Sequence, residues 1–341
     1  MSDRMRVAAI TDPPGIAVEE RPRPVAGRGE AVVAVERVGV CGSDVPMWSG
    51  ERDVPEGHVP GHEFAGRVVE TGPGVDDGFR DARVAARIAV GCGDCQYCHR
   101  GLERLCPDID EVGVTRDGAF AEYVRVDADA LHRLPEGTSF AQGASVDPAA
   151  SAYRGIRQLD VDAGDALVVV GPGPIGLYAT QLALAEGASP VVVLGTRESR
   201  NGVARALGAD ATVNVHEEDV AARLRETVGP EGADGVLVAT GNPDAVPTAL
   251  DAARKGGAVA LVGLPHDPVE SLDAWSMIRA EKRLLGAFLY TYDEFVTCLE
   301  MFADGRLTAE GILTHTLPLA EAGRAFELID DREAIKVHLE P

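Results

Sequence analysis

The chain has 341 residues, 45% of them hydrophobic, more than one ordinary core accommodates and enough to fill a core in each of two domains. Its 55 Asp and Glu against 32 Lys and Arg leave a net charge of −23, a surface that repels phosphates and argues against a nucleic-acid partner. No run reaches the apolar length of a membrane span, and the start Met1-Ser2-Asp3-Arg4-Met5 lacks an apolar leader, so a soluble, cytoplasmic protein without a membrane partner is expected.

From Arg6 to about Pro135 the chain reads as short strands, at residues 31–35, 65–69, 84–88 and 121–124, broken by Gly and Pro. Frequent turns between such runs predict a β-rich, barrel-like domain. After Phe140 the texture changes. A helical stretch over 141–159 leads to an apolar run at 166–170, then Gly171-Pro172-Gly173-Pro174-Ile175-Gly176, an amphipathic helix over 177–186 and a second apolar run at 191–194. Further strands are predicted at 235–239 and 258–262, and alternation of strand with helix predicts a parallel doubly wound sheet. Beyond Gly286 a helix over 293–303 and a strand over 336–339 are expected to return to the first domain.

The strongest local signal lies in a loop of the barrel-like region, where Cys92, Cys95, Cys98 and Cys106 follow the spacing C-x2-C-x2-C-x7-C. Gaps of two residues let thiolates converge on one ion, and four sulfur ligands suit a closed structural zinc site. Two disulfides or an iron–sulfur cluster are the competing readings. Pro107 after the last cysteine resembles the ferredoxin pattern, but there is no second cysteine set, and disulfides need an oxidising compartment.

The glycine loop directly follows a buried strand and directly precedes a helix, which admits a pyrophosphate to the helix N-terminus; Gly171, Gly173, Pro174, Ile175 and Gly176 are the candidate contacts. An NAD site has an acidic residue about 20 positions further on. Here Gly195, Thr196 and Arg197 stand instead, leaving room for a 2′-phosphate and offering a guanidinium to bind it, so NADP is expected in preference to NAD. Glu198 or a shifted register would restore NAD.

Cys298 lies in a helical pattern and reads as a packed thiol. Cys41 differs. It opens Cys41-Gly42-Ser43-Asp44 and precedes Gly61-His62-Glu63 at loop distance, a thiolate, an imidazole and a carboxylate of the kind that hold an open zinc site. Spacing alone leaves this set as compatible with coincidence as with a metal.

Together these motifs, with Asp117-Gly118-Ala119-Phe120-Ala121-Glu122-Tyr123, Val146-Asp147-Pro148, Leu207-Gly208-Ala209-Asp210 and Ala334-Ile335-Lys336-Val337, resemble the zinc-containing medium-chain dehydrogenases/reductases over essentially the whole chain. The branch is that of sorbitol, threonine, butanediol and sugar dehydrogenases. The resemblance implies an α/β protein: a GroES-like β-barrel catalytic domain (1–150 and 287–341, zinc lobe around 91–107) plus a doubly wound Rossmann cofactor domain (151–286). It implies Cys41 and His62 as catalytic zinc ligands, with Glu63 a ligand or a close neighbour of the metal. Asp147 stands where relatives carry a longer glutamate, and binds directly or through water. Ser43 is implied as the proton relay, and a turn-capping hydroxyl is its other reading. Pro46 replaces a histidine common in relatives, which interrupts the usual relay; His58 reads as solvated, and the remaining histidines as surface residues. Trp48 and Tyr290 are expected to supply an aromatic wall.

The implied activity is zinc-dependent, NAD(P)-linked interconversion of a polyol, sugar or other secondary alcohol and its carbonyl, with one catalytic and one structural zinc per chain, in a homotetramer or homodimer. An L-threonine 3-dehydrogenase-like enzyme and a non-catalytic NADPH-binding relative are the alternatives. Only three of the basic residues are lysines, and a carboxylate-rich, lysine-poor surface stays soluble where salt screens its self-repulsion, so a halophilic protein is expected. A GC-rich genome gives the same Arg-for-Lys bias.

Overall fold

A computed structural model describes residues 3–265, 267–270 and 272–341. The chain divides into two compact units, residues 1–147 with 291–341, and residues 148–290. The first boundary falls three residues before the expected one, near the start of helix Val146–Leu159, and the second four residues after it. Residues 287–290 stay with the second unit; there the Ala287 N–H donates to the Leu261 carbonyl at 2.9 Å.

In the first unit, strand Glu30–Gly39 is the centre of a seven-stranded sheet and is buried along most of its length, hence its run of Val and Ala. Its first half pairs antiparallel with Tyr123–Asp127, its last residues with Lys336–Glu340, and its whole length with Glu63–Thr71. Gly39 therefore lies opposite both Glu63 and His338. The strand expected at 121–124 begins two residues later, because Gly118, Ala119 and Phe120 give their N–H groups to the Val59–Gly61 segment instead. Phe120, Phe326 and Phe64 fill the core, with Phe120 edge-on to Phe326 at 6.0 Å. Trp48 stacks on Phe326 at 5.5 Å and is half-buried.

The second unit holds a six-stranded parallel sheet ordered Ala211–Asn214, Val191–Gly195, Leu167–Val170, Ala233–Val238, Ala253–Leu261, Arg283–Gly286. Chain order runs outward in one direction from Leu167–Val170 and then in the other, so the switch point lies between that strand and Ala233–Val238. The helix expected over 141–159 is two helices, Phe140–Ala144 and Val146–Leu159. Ser145 separates them, its hydroxyl donating to the Ala141 carbonyl at 2.9 Å. Among the described residues no helix is long and apolar enough to cross a membrane.

Candidate active site and nucleotide loop

Cys41 follows the central strand in a tight turn. The Asp44 carboxylate accepts from the Cys41 N–H at 2.8 Å, and the Cys41 carbonyl accepts from the Asp44 N–H at 3.1 Å. His62 and Glu63 enter from the next strand. Between them and the core sits Gly61, at φ +96°, where a side-chain carbon would lie 2.3 Å from the Phe120 ring. Gly113 and Gly118 press against the Gly61 backbone from the other side, and Ala119 donates to the Gly61 carbonyl at 2.8 Å. Three glycines thus allow backbone to pack on backbone and fix the direction in which His62 leaves the chain.

These elements bring Cys41, His62 and Glu63 together with ligand atoms within 4.8 Å of one another. His62 and Glu63 are buried. Burial alone would lower the His62 pKa, but Asp44 and Cys41 outweigh it and hold the imidazole well above its usual value. His62 Nδ1 lies 3.5 Å from Asp44 Oδ1, and neither atom has a hydrogen-bond partner although both are out of water. A half-buried thiol beside a buried imidazole and carboxylate, with orphaned polar atoms and surplus negative charge, fits a divalent, thiophilic cation.

Glu63 is the acceptor of a buried lysine. Lys336 Nζ donates to its two carboxylate oxygens at 2.8 and 2.6 Å and to the Val40 carbonyl at 3.0 Å. Burial pushes the Lys336 pKa down, and Glu63, by its charge and hydrogen bond, together with Cys41 and Asp44 more than reverses this. Gly39 makes the pair possible, since a side-chain carbon there would stand 2.2 Å from Glu63 Oε2. Of the two roles expected for Glu63, this geometry favours the neighbour of the metal over the ligand.

Asp147 is buried in the first turn of helix Val146–Leu159 and is not one of the residues whose ligand atoms lie within 4.8 Å of one another. Ser43 is half-buried, and its hydroxyl makes no hydrogen bond with any described residue, so it does not act as a cap. Pro46 lies in the first turn of helix Val45–Ser49. His58 is buried rather than solvated, its Nε2 3.1 Å from the Gly113 carbonyl. His132 and His338 are also buried rather than at the surface, whereas His99 and His216 are exposed. Asp44 and Lys336 went unrecognised as site residues in the sequence; each stood inside a recognised motif, but only the fold shows what it touches.

The cysteine loop carries a second convergent group. Cys92, Cys95, Cys98 and Cys106 are all free thiols, with Cys95 Sγ 3.5 Å from Cys98 Sγ and 3.8 Å from Cys106 Sγ. Those separations are far longer than a disulfide bond. A hydrogen bond from the Cys98 N–H draws the Cys95 pKa down to about 7, while desolvation pushes Cys98 up to about 12. Four sulfurs so close cannot all ionise without a cation, and four thiolates are the donor set of a closed zinc site. Cys298 is fully buried, as a packed thiol should be.

In the second unit, Gly171 to Gly176 turn from strand Leu167–Val170 into helix Pro174–Ala185. Gly171 has φ +101°, which makes the turn. Gly173 is the N-cap, and a side-chain carbon there would meet nothing within 4 Å, leaving its open face for a ligand. At Gly176 the same carbon would stand 2.0 Å from the Gly171 carbonyl, so close packing demands glycine. Pro174 and Ile175 open the helix, and the free N–H groups of its first turn are the kind that would meet an incoming anion. Gly195 ends strand Val191–Gly195, and any side chain there would run into Asn201 Oδ1 at 2.1 Å and Pro172. Thr196 is exposed, Arg197 is the N-cap of helix Glu198–Ala206, and the Glu198 carboxylate is engaged by Arg205. Tyr290 is buried in this unit.

Two family models match, "Alcohol dehydrogenase GroES-like domain" over residues 27–136 and "Zinc-binding dehydrogenase" over residues 174–304. The chain is 33% identical to a sorbitol dehydrogenase of Halalkalibacterium halodurans over 95% of both chains. The chain belongs to the zinc-type medium-chain alcohol dehydrogenase superfamily. An L-galactonate-5-dehydrogenase of Escherichia coli is 32% identical over 97% of this chain and 98% of its own. A zinc-binding dehydrogenase of Sinorhizobium meliloti, solved bound to NADP, superposes with a TM-score of 0.94 at 28% identity over all of both chains. At family level this medium-chain dehydrogenase is an NAD(P)-linked oxidoreductase with a GroES-like and a Rossmann-like domain.

Proposed function

We propose that the protein is a zinc-dependent dehydrogenase that prefers NADP and interconverts a polyol, sugar or other secondary alcohol with its carbonyl compound. The observation that carries this reading is the convergence of half-buried Cys41 with buried His62 and Glu63. Cys41 and His62 would hold the catalytic zinc, which supplies Lewis acidity toward an alcohol or carbonyl oxygen. Asp44 orients His62 through the Nδ1 side, and Lys336 keeps Glu63 from neutralising the metal outright. Ser43 is the hydroxyl through which a substrate proton leaves, and with proline at position 46 the path beyond it runs through water. The four cysteines would hold a structural zinc that takes no part in the reaction.

The preference for NADP is supported by Gly195, which leaves no space for the acidic side chain that grips an unphosphorylated ribose, and by Glu198 being engaged elsewhere. Arg197, at the end of the same strand, is the group that would meet a 2′-phosphate. Assembly as a homotetramer or homodimer is supported by exposed Leu264, Leu272, Trp275 and Ile278 in a unit whose sheet ends on the open strand Arg283–Gly286. The excess of acidic residues suits a salt-rich cytoplasm.

A panel of polyols, sugar acids, secondary alcohols and L-threonine, assayed with NADP and NAD at several salt concentrations, tests the reading. NADP-linked oxidation of one polyol or sugar class supports it. Turnover of L-threonine alone would make the protein a threonine dehydrogenase, tight NADPH binding without turnover a non-catalytic relative, and a clear preference for NAD would sink the role given to Gly195 and Arg197.

A further inference from the structure

We propose that the barrel unit carries a second ligand site, an arginine-lined cavity that binds a small organic anion with an apolar body. The cavity has a volume of about 560 Å³ and lies among strand Arg4–Ile10, the end of strand Ile16–Pro22 with the residues after it, and the segment from Arg116 to Arg125. It contains none of the clustered cysteines, none of the Cys41 group and none of the nucleotide loop. Its size is that of pockets for small organic ligands, about 300–1,000 Å³.

The lining gathers guanidinium groups. On a chain of net charge −23, the cavity is lined by Arg21, Arg23, Arg116 and Arg125 and by one acidic residue, Asp117, while Glu19, Asp110 and Glu30 pair with these arginines from outside the lining. Arg21 is occupied in building the wall, bonded to Glu19 at 2.7 Å, to Asp117 at 3.1 Å and to the Gly57 carbonyl. Arg116 and Arg125 are only partly engaged. Arg116 forms an ion pair with Asp110, its Nε 2.8 Å from the carboxylate, and Nη1 donates to the Arg125 carbonyl at 2.7 Å, which leaves Nη2. Arg125 has one partner, Glu30, 3.5 Å from Nε, which leaves both Nη groups. Unused guanidinium donors beside a cavity suit a carboxylate or phosphate head, which arginine binds in a fork. The rest of the lining includes Met5, Val7, Pro22 and Tyr123, and the Arg23 guanidinium lies over the Tyr123 ring at 4.4 Å. Those surfaces suit an aromatic or aliphatic body and give an inorganic ion nothing to bind.

The test is calorimetric titration of the full chain, with and without saturating NADP, by 1-naphthyl phosphate, 1-naphthoate and inorganic phosphate. The proposal predicts one naphthyl-probe site per chain that persists with NADP present, and inorganic phosphate at least about tenfold weaker. Affinity falls about tenfold or more in R116Q/R125Q, falls partly in R125Q, and is unchanged in R324Q on the same unit. The tighter of the two naphthyl probes identifies the head group. R125Q removes a half-exposed side chain with one long ion pair, so it reports on binding even where the double variant is less stable. Failure of both naphthyl probes to bind, binding unaffected by R116Q/R125Q, or inorganic phosphate binding as tightly as the naphthyl probes would overturn the proposal.

Discussion

Lys336 and Glu63 meet with both side chains almost wholly out of water, and removing one partner of such a pair strands a buried charge. K336M should lower unfolding stability by about 3–5 kcal/mol, and K336M combined with E63Q by distinctly less, as read from denaturant midpoints. Equal losses in single and double variants would show that the pair is not coupled. His132 sets a pH dependence. It is packed against Tyr292 and Phe295 at 4.9 and 4.8 Å, and burial, with help from Arg87, holds its pKa at about 4. His338 is held at about 3 by burial and by Lys336 and Arg37. Because the unfolded chain takes up these protons first, their stabilising contribution is complete above about pH 6.5 and is lost as pH falls toward 4 and below. For His132 the loss is roughly 3 kcal/mol over that window. H132F should flatten the melting curve between pH 6.5 and 4, and an unchanged slope would exclude His132 as the source. None of this was legible beforehand, since Lys336 stands 273 positions from Glu63 and only strand register joins them.

At the scale of elements, the segment carrying His62 depends on the contact of Gly61 with Phe120 and with the turn from Gly113 to Gly118. G61A would place a methyl into the Phe120 ring on backbone that L-residues rarely adopt. Its expected cost is on the order of 2–4 kcal/mol, together with weaker metal binding, measured by thermal melts and chelator competition. A variant as stable and as metal-competent as the parent would mean that the glycine contacts do not position His62. The nucleotide loop was readable from sequence because strand, glycines and helix are consecutive, so local spacing and three-dimensional placement coincide. The Cys41 group was not secure from spacing because strands Glu30–Gly39 and Glu63–Thr71 must pair in register before it exists. Ser145 shows the same limit in a helix: the apolar pattern over 141–159 continues through it, while its side chain bonds back to Ala141 and divides the element.

Across the whole molecule, two units divide the labour, one holding both candidate metal groups and the other the nucleotide loop. The charge of −23 spreads over both, and screening should relieve its self-repulsion. The melting temperature should therefore rise steadily from low salt to molar potassium chloride; a flat or falling response would leave genomic composition as the reason for the scarcity of lysine. The division of the cysteines between a scaffold cluster and a reacting group is tested most directly by zinc content. Purified parent protein and C41S should be analysed for bound zinc and for NADP-linked alcohol oxidation. The parent should carry two zinc ions per chain, and C41S should remain folded with the cysteine-lobe zinc alone and lose turnover. A parent chain with only one zinc, or a C41S variant that keeps full zinc and activity, would contradict the account.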